Sequence, residues 1–425
     1  MPSTIPAPAR DVDLLITTSA HFLLRNSAEG TFDLESNLRQ IGEVYGAEVA
    51  ALVNMEGLVV VITHDDGSER TCVVHAEPSL ERLDQLSQFK VLSQRIEAGE
   101  LSAAEAVVQL QALQQTPDPY PWWLRLLGVA LFAAGFAPSM QATWGELGAA
   151  LLLGTVTAVC FLVAERLHAL RVLLPLLAAV AVSVVAFTCL DVTHAHGGPV
   201  LVMVPALFVL IPGDFLCAAA AEVAIGHLTV GTIRLAQSVF ILLQLAGGVI
   251  IGAAVSGVGT HALIQGSTTS NLPWVLVVLA WIPFTIGLSL TFCARLRDAW
   301  WIGLFVYVAW GVQLGGTWLI GDAGGTFLAA AVLCAAGTIL GHHPRRPPSL
   351  IIIIGGVFVL TVGSMALRGL TTLAGGDVVT SFHDMGTFCR VAGSLTFGLI
   401  VGTAAGIAWL RRRDADVAVA VDALR

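Results

Sequence analysis

The chain has 425 residues, of which 56% are hydrophobic and only 12% are charged. Few soluble domains have this composition, and the many long apolar runs indicate a helical membrane protein with several spans. The net charge of −9 excludes the basic surface that a nucleic-acid-binding protein needs, so we expect no nucleic-acid partner.

Residues 1–121 are predicted to form a small α+β domain that stays in the cytoplasm, because residues 1–50 lack the apolar core of a signal peptide. The predicted helices cover 11–24, 33–45, 79–97 and 102–115, and the predicted strands cover 47–53, 58–64 and 71–75. Ser102 and Glu105 fit a capping box, and a proline-rich hinge at 117–121 leads into the apolar part of the chain.

The titratable residues of this first domain show no catalytic spacing. They are His21, His64, Asp65, Asp66 and His75. Asp65-Asp66-Gly67 is a good hairpin turn, so structural or regulatory roles are favoured over catalysis.

The remainder of the chain contains ten apolar segments of about the length that a helix needs to cross a bilayer. They are 122–140, 145–164, 168–190, 198–222, 233–256, 272–294, 299–320, 323–341, 349–373 and 389–410. If the N-terminus is cytoplasmic, the connections on the inner side carry all of the arginines between spans, and the five outer loops carry no Lys or Arg. This distribution obeys the positive-inside rule and predicts that both termini, including the tail 411–425, are cytoplasmic.

The fourth apolar segment is interrupted by Pro212-Gly213-Asp214. Proline removes a backbone donor, glycine tolerates unusual backbone angles, and aspartate is a favoured N-cap. The pattern predicts a helix that stops near Pro212 and restarts after Asp214. A broken helix inside a bilayer is typical of transporter binding sites, although a proline kink at the membrane surface would also fit.

A second stretch, 348–379, matches the first at an offset of 150 positions without a gap. The matched pairs include Phe208 with Phe358, Gly213 with Gly363, Asp214 with Ser364, Gly226 with Gly376, Gly248 with Gly398, and Gly252 with Gly402. Such matches indicate an internal duplication. Each half, 122–256 and 272–410, holds five spans, so the second half would enter the membrane from the opposite side. The predicted fold is therefore a polytopic α-helical membrane protein with two inverted five-helix repeats.

The two predicted breaks, at Gly213-Asp214 and at the matching Gly363-Ser364, are the predicted substrate or coupling site. A helix that restarts there would point its backbone N–H groups at the centre of the protein and could bind a carboxylate. Asp214 could hold an ammonium group or carry a coupling proton, or it could only cap its own helix. Ser364 is equally well explained as a cap. Glu222 could reach cytoplasmic water, and Arg368 could attract a carboxylate or extend outward.

Other polar residues point to packing or loops rather than to a cofactor. Gln237, Gln244 and Gly248 share one helix face, as small and polar residues at helix contacts do. Asp191, His194 and His196 lack an evident fourth metal ligand. The seven cysteines include no Cys-x-x-Cys pair, and no P-loop is present. We therefore expect neither a metal nor another cofactor.

Several motifs resemble those of the threonine/serine exporter family. They are SAEGTFDLESNLRQIGEVYG over 27–46, SLERLDQL over 79–86, IPGD over 211–214, and a glycine and an arginine eight positions apart at Gly226 and Arg234. Members of that family pair such an N-terminal region with two membrane blocks of about five spans. This chain differs where the family often has Gly-Ala-Glu-Thr, at 27–30, and where it often has a hydrophobic or small residue, at Asp214.

The resemblance implies export of threonine and serine across the cytoplasmic membrane, driven by the proton gradient. Two alternatives stay open: a channel or transporter for a different small solute, and a membrane-anchored enzyme that uses the N-terminal domain. No motif supports the enzyme, so we expect no catalytic activity. The N-terminal domain could also regulate transport, and a homo-oligomer is possible.

Overall fold

The computed structural model describes residues 7–25, 31–54, 57–75, 82–140, 143–167, 170–196, 198–224, 226–263, 272–360 and 362–422. The protein is mostly helical, with one small three-stranded sheet. Within these ranges, six helical stretches are long and apolar enough to cross a membrane. They are Trp122–Ser139, Trp144–Arg166, Leu228–Val255, Trp274–Thr291, Leu296–Gly341 and Val378–Arg413.

The N-terminal region combines four helices with the sheet. Its elements are α1 (Ala9–Arg25), α2 (Thr31–Val44), β1 (Ala47–Asn54), β2 (Gly57–His64), β3 (Glu69–His75), α3 (Leu83–Glu97) and α4 (Ala103–Gln114). The strands are antiparallel in the order β1-β2-β3, and β2 buries alternate residues against the helices. Ser102 and Glu105 form the predicted capping box. The predicted start of α3 before Leu83 lies outside the described residues.

The rest of the chain is entirely helical where it is described, apart from short turns and connections. Its helices are α5 (Trp122–Phe136), α6 (Trp144–Arg166), α7 (Leu174–Cys189), α8 (Pro199–Leu207), α9 (Gly213–Ala224), α10 (Leu228–Val255), α11 (Trp274–Thr291), α12 (Leu296–Gly341), α13 (Ser349–Val359), α14 (Val362–Ala374) and α15 (Val378–Asp422). Among the shorter helices, α7, α8 and α13 are apolar but have too few residues to cross a bilayer alone.

Both predicted helix interruptions are present. A 3-10 turn over Phe208–Leu210 ends α8, and α9 begins at Gly213. Asp214 is thus the second residue of α9, not the residue before it, because Pro212 already supplies the non-helical position. In the second half, α13 ends at Val359 and α14 begins at Val362, so Ser364 also lies inside a helix and not at its cap.

Helix α12 is two antiparallel segments. Gly321 interrupts it with a φ of 81° and a ψ of 172°. Gln313 Nε2 lies 3.3 Å from Thr326 Oγ1, although thirteen residues of straight helix would span about 20 Å. The chain therefore reverses at Gly321, where the sequence predicts the loop 321–322, and a Cβ on Gly316 would lie 2.7 Å from the Cα of Gly325.

Helices α5 and α11, which are the first helices of the two sequence halves, make reciprocal contacts. A Cβ at Gly135 would lie 2.3 Å from the backbone nitrogen of Phe284, and one at Gly287 would lie 2.3 Å from that of Phe132. Each glycine therefore allows its helix to approach the backbone of the other. Self-complementary contacts of this kind are typical of a two-fold axis.

The α9–α10 and α14–α15 pairs have matching connections at the offset of 150. Gly226 and Gly376 have φ values of 99° and 96°. His227 N donates to Glu222 O at 2.9 Å, and Asp377 N donates to Thr372 O at 3.3 Å. Three equivalent backbone positions thus close both helical hairpins in the same way, which is the geometry that an internal duplication predicts.

The N-terminal region is attached to the helical region through α3. Ser87 Oγ donates to Asp298 Oδ2 at 2.7 Å, and the Lys90 ammonium binds backbone carbonyls at the C-terminal end of α12, including that of Gly341. Tyr120 Oη donates to Ala294 O at 2.7 Å. A tyrosine hydroxyl is protonated at neutral pH, and burial raises the pKa of the Tyr120 hydroxyl further.

Candidate functional site

A cavity of about 610 Å³ lies between the last turn of α1 and the helices α5, α6, α7 and α10. We call it the junction cavity. Its volume falls in the range of about 300–1,000 Å³ that is usual for small-molecule sites. The predicted site residue Pro212 lies in its wall, together with Val209, Leu210 and Ile211.

The inner end of the junction cavity is apolar and meets both sequence halves. Phe215, on the first turn of α9, and Phe358, near the end of α13, both line it. The α8–α9 connection forms part of this wall, where Ile211 is extended and Pro212 has no backbone N–H. The interruption predicted from sequence therefore borders a space that a small polar molecule could fill.

A group of stacked phenylalanines adjoins this inner end. Phe136 and Phe208 stack with ring centroids 3.9 Å apart, and Phe132 and Phe284 stack at 4.8 Å. Phe358 contacts both Phe132, at 5.4 Å, and Phe208, at 5.8 Å. These five residues, which we call the aromatic cluster, come from both halves and are all at least 90% buried. They fill the space beyond the cavity with tightly packed rings.

The outer part of the junction cavity is charged. Its ionisable lining residues are His21, Arg25, Arg125, Glu165 and Arg171. Arg125 Nη2 lies 2.6 Å from Glu165 Oε1, and Arg125 Nη1 lies 3.5 Å from Asp118 Oδ2. Three guanidinium groups against one lining carboxylate make this part of the cavity positive, which favours anionic groups.

Glu222 and Arg234 form a buried ion pair between α9 and α10. Glu222 Oε1 lies 3.2 Å from Arg234 Nη1, and the residues are 4% and 3% exposed. The sequence had allowed Glu222 to reach cytoplasmic water. It does not do so in the structure, because Arg234 packs against it across the hairpin. A buried charge requires such compensation.

The equivalent hairpin of the second half carries different polar groups. At the offset of 150, Thr372 corresponds to Glu222 and Asp384 corresponds to Arg234. Thr372 Oγ1, Asp384 Oδ2 and Arg368 Nε are buried and have no hydrogen-bond partner among the described residues. Arg368, which the sequence predicts as a site residue, is thus partly buried. Its Nε, Thr372 Oγ1 and Asp384 Oδ2 are polar atoms in the second half that could still form hydrogen bonds.

The predicted site residues therefore fall into three places. Pro212 and Gly213 lie at the junction cavity or directly beside it, Glu222 pairs with Arg234, and Arg368 lies in the second hairpin. The side chains of Asp214 and Ser364 lie outside the described part of the structure, as does the side-chain environment of Gly363.

Sequence reasoning did not single out Arg25 or Phe358 as site residues, nor did it identify Asp384. The only sequence feature that could have indicated Asp384 is the internal duplication, because Asp384 corresponds to Arg234 at the offset of 150. No sequence pattern links Arg25 to residues more than 100 positions away.

The polar loop with Asp191, His194 and His196 makes other contacts. His196 Nδ1 lies 3.1 Å from Glu146 Oε1, and Thr193 Oγ1 donates to Asp191 Oδ1 at 2.6 Å. Across the described residues, no group of three or more His, Cys, Asp or Glu side chains could hold a metal ion.

Comparison with known proteins links the chain to one family. The sequence model of the family described as "Putative threonine/serine exporter" matches residues 15–256. A "Probable threonine/serine exporter" of Mycobacterium tuberculosis is 23% identical over 376 residues, which cover 84% of this chain and 69% of that protein. "Pheromone-regulated membrane protein 10" of Zygosaccharomyces rouxii is 24% identical over 259 residues, which cover 59% of this chain and 25% of that protein. No solved structure matches the chain.

Proposed function

Because this chain belongs to the threonine/serine exporter family, we propose that it exports threonine and serine across the cytoplasmic membrane as a secondary active transporter driven by the proton gradient. The observation that carries the proposal is the junction cavity, which connects a positively charged outer part to the interrupted helix at Pro212. Many secondary transporters place their substrate site at a helix break of this kind.

The membrane architecture of the proposal is ten spans in two inverted repeats, with both termini in the cytoplasm. The six long apolar stretches and the reversal of α12 at Gly321 support the span count. The reciprocal glycine contacts of α5 and α11 support a two-fold relation between the halves. Helices α8 with α9 and α13 with α14 then make up two broken spans, entered from opposite faces.

The aromatic cluster is the barrier in this transport cycle. The junction cavity adjoins α1 of the N-terminal region, which the proposal assigns to the cytoplasm, so the cavity faces the cytoplasm. The stacked rings of Phe132, Phe208, Phe284 and Phe358 close the far side. Alternating access requires the two repeats to rearrange around this cluster, so that the substrate site opens to the other side.

The break at Pro212 would supply the substrate contacts. The first turn of α9 has backbone N–H groups that lack carbonyl partners within the helix, and it carries the positive end of the helix dipole, which suits a substrate carboxylate. Asp214, the second residue of α9, is the candidate for the substrate ammonium or the coupling proton. Gly363 and Ser364 take the equivalent position at the start of α14.

Glu222 and Arg234 would hold the α9–α10 hairpin as a unit while it moves. The pair is buried at 3.2 Å, so it fixes one helix against the other without contacting the junction cavity. Arg368 and Asp384 have unused hydrogen-bonding atoms in the second hairpin, so they are candidates for contacts that form only in another conformation.

Efflux from intact cells tests this function. Cells without other exporters are preloaded with radiolabelled threonine or serine and express the wild type, Asp214→Asn or an empty vector. We expect wild-type efflux to exceed the vector and to collapse with a protonophore. Loss of proton-driven efflux in Asp214→Asn would assign this residue to transport, and normal efflux would leave it a structural role. Equal efflux from wild type and vector for both amino acids would refute the proposed function.

A further inference from the structure

One wall of the junction cavity belongs to the N-terminal region. His21 and Arg25 are exposed residues one turn apart at the end of α1, and both line the cavity. The other face of α1 is fixed in the core of the N-terminal region by fully buried side chains such as Leu15, Ile16 and Phe22. The direction in which Arg25 extends is therefore set by the fold of this region.

The opposite wall carries Arg171, three residues before the start of α7 at Leu174. Among the described residues, neither Arg25 nor Arg171 has a carboxylate at ion-pair distance, whereas Arg125 has both Glu165 and Asp118. Two guanidinium groups without carboxylates, one from each part of the protein, thus face one cavity. Guanidinium groups bind carboxylates through paired, charge-assisted hydrogen bonds.

We propose that Arg25 of the N-terminal region and Arg171 form an entrance site that binds the carboxylate of the amino-acid substrate before it moves inward to Pro212. The inference rests on the proposed function and extends it, because it makes the N-terminal region part of the substrate path. The carboxylate is common to all amino acids, so this site selects amino acids as a class. Discrimination of threonine and serine from other amino acids would fall to the inner end of the cavity.

The charge balance along the cavity supports a transient site at this point. The outer part holds excess positive charge, and the inner end, with Phe215 and Phe358, is apolar. An anionic group is attracted to the mouth and is not retained by opposite charge deeper inside. The charge of Arg125 is balanced by Glu165, so we assign this pair to the structure of the cavity wall and not to the entrance site.

The test compares two ligands on the purified full-length protein in uncharged detergent. L-threonine carries a carboxylate, and L-threoninamide replaces it with a neutral amide while keeping the ammonium and hydroxyl groups. We expect Arg25→Gln to weaken threonine binding about tenfold, the loss of one charge-assisted hydrogen bond, and not to weaken the binding of threoninamide, which is a cation. Arg25→Lys should retain part of the affinity, since it keeps the charge but not the planar fork.

Arg10→Gln is the matched control, because Arg10 is an exposed residue of the same helix that does not line the cavity. If Arg25→Gln binds threonine as well as Arg10→Gln does, or if it loses affinity equally for both ligands, the entrance site is wrong. An anionic lipid could instead occupy the two arginines. In that case phosphatidylglycerol would bind the wild type more tightly than Arg25→Gln, threonine would bind both equally well, and the inference would be overturned.

The outcomes separate this inference from the proposed function. Wild-type efflux of threonine together with unchanged binding in Arg25→Gln would remove the entrance site and leave the exporter intact. A wild type that neither binds nor exports threonine and serine would remove both.

Discussion

Removing one member of the buried Glu222–Arg234 pair should strongly destabilise the protein. The two side chains are 6% and 4% exposed and 3.2 Å apart, so water cannot solvate the charge that stays unpaired when its partner is removed. Loss of one partner from such a pair costs about 3–5 kcal/mol, whereas replacement of both by apolar residues is often close to neutral. We therefore expect Glu222→Met and Arg234→Met each to lose about 3–5 kcal/mol in the free energy of unfolding. The double variant should lose less than either single variant.

Denaturant unfolding of the purified protein in detergent micelles measures these losses, and a double-mutant cycle isolates the interaction between the two residues. The surface pair Arg39–Glu43 is the control, since its side chains are 62% and 63% exposed at 3.7 Å. Glu43→Met should cost no more than about 1 kcal/mol. If the losses of Glu222→Met and Arg234→Met simply add in the double variant, the two residues do not stabilise each other and the reasoning fails.

Three further predictions concern the barrier, the hairpin and the contact between the two regions. Phe358→Ala should let threonine leak in both directions without a proton gradient, because the ring seals the inner end of the cavity; flux as low as in the exposed control Phe382→Ala would contradict this. Gly231→Ala should reduce the amount of folded protein, since its Cβ would lie 2.8 Å from Ala219 O. Gly247→Ala on the same helix, with open space at this position, should not. The thiol of Cys293 is fully buried beside α3, so N-ethylmaleimide should label it only after denaturation, and labelling of the native protein would show that α3 detaches.

Much of the fold follows from local sequence. Proline and glycine at Pro212-Gly213 mark the interruption of the fourth apolar segment. The offset of 150 predicts a second interruption at Gly363-Ser364, and the structure has it slightly earlier, between the end of α13 at Val359 and the start of α14 at Val362. The strands and the capping box of the N-terminal region also follow from short-range patterns. The start of α9 at Gly213, one residue before Asp214, lies within the usual uncertainty of helix ends.

The parts that sequence could not supply depend on contacts between distant residues. The sequence allowed Glu222 to reach cytoplasmic water, and it singled out Arg234 only in a motif with Gly226, so nothing in it paired the two residues. Folding of the hairpin brings them to 3.2 Å. The junction cavity has the same origin, since α1 and α7 are about 150 residues apart along the chain and meet only through docking of the N-terminal region.

Reconstitution of the purified protein into liposomes tests proton-driven export most directly. Radiolabelled threonine is supplied outside at a low concentration, and the lumen is acidic and contains the same concentration of unlabelled threonine. The account predicts that labelled threonine accumulates above its outside concentration while the pH gradient lasts, and that a protonophore abolishes the accumulation. Equilibration to equal concentrations regardless of the gradient would contradict the account and indicate a channel.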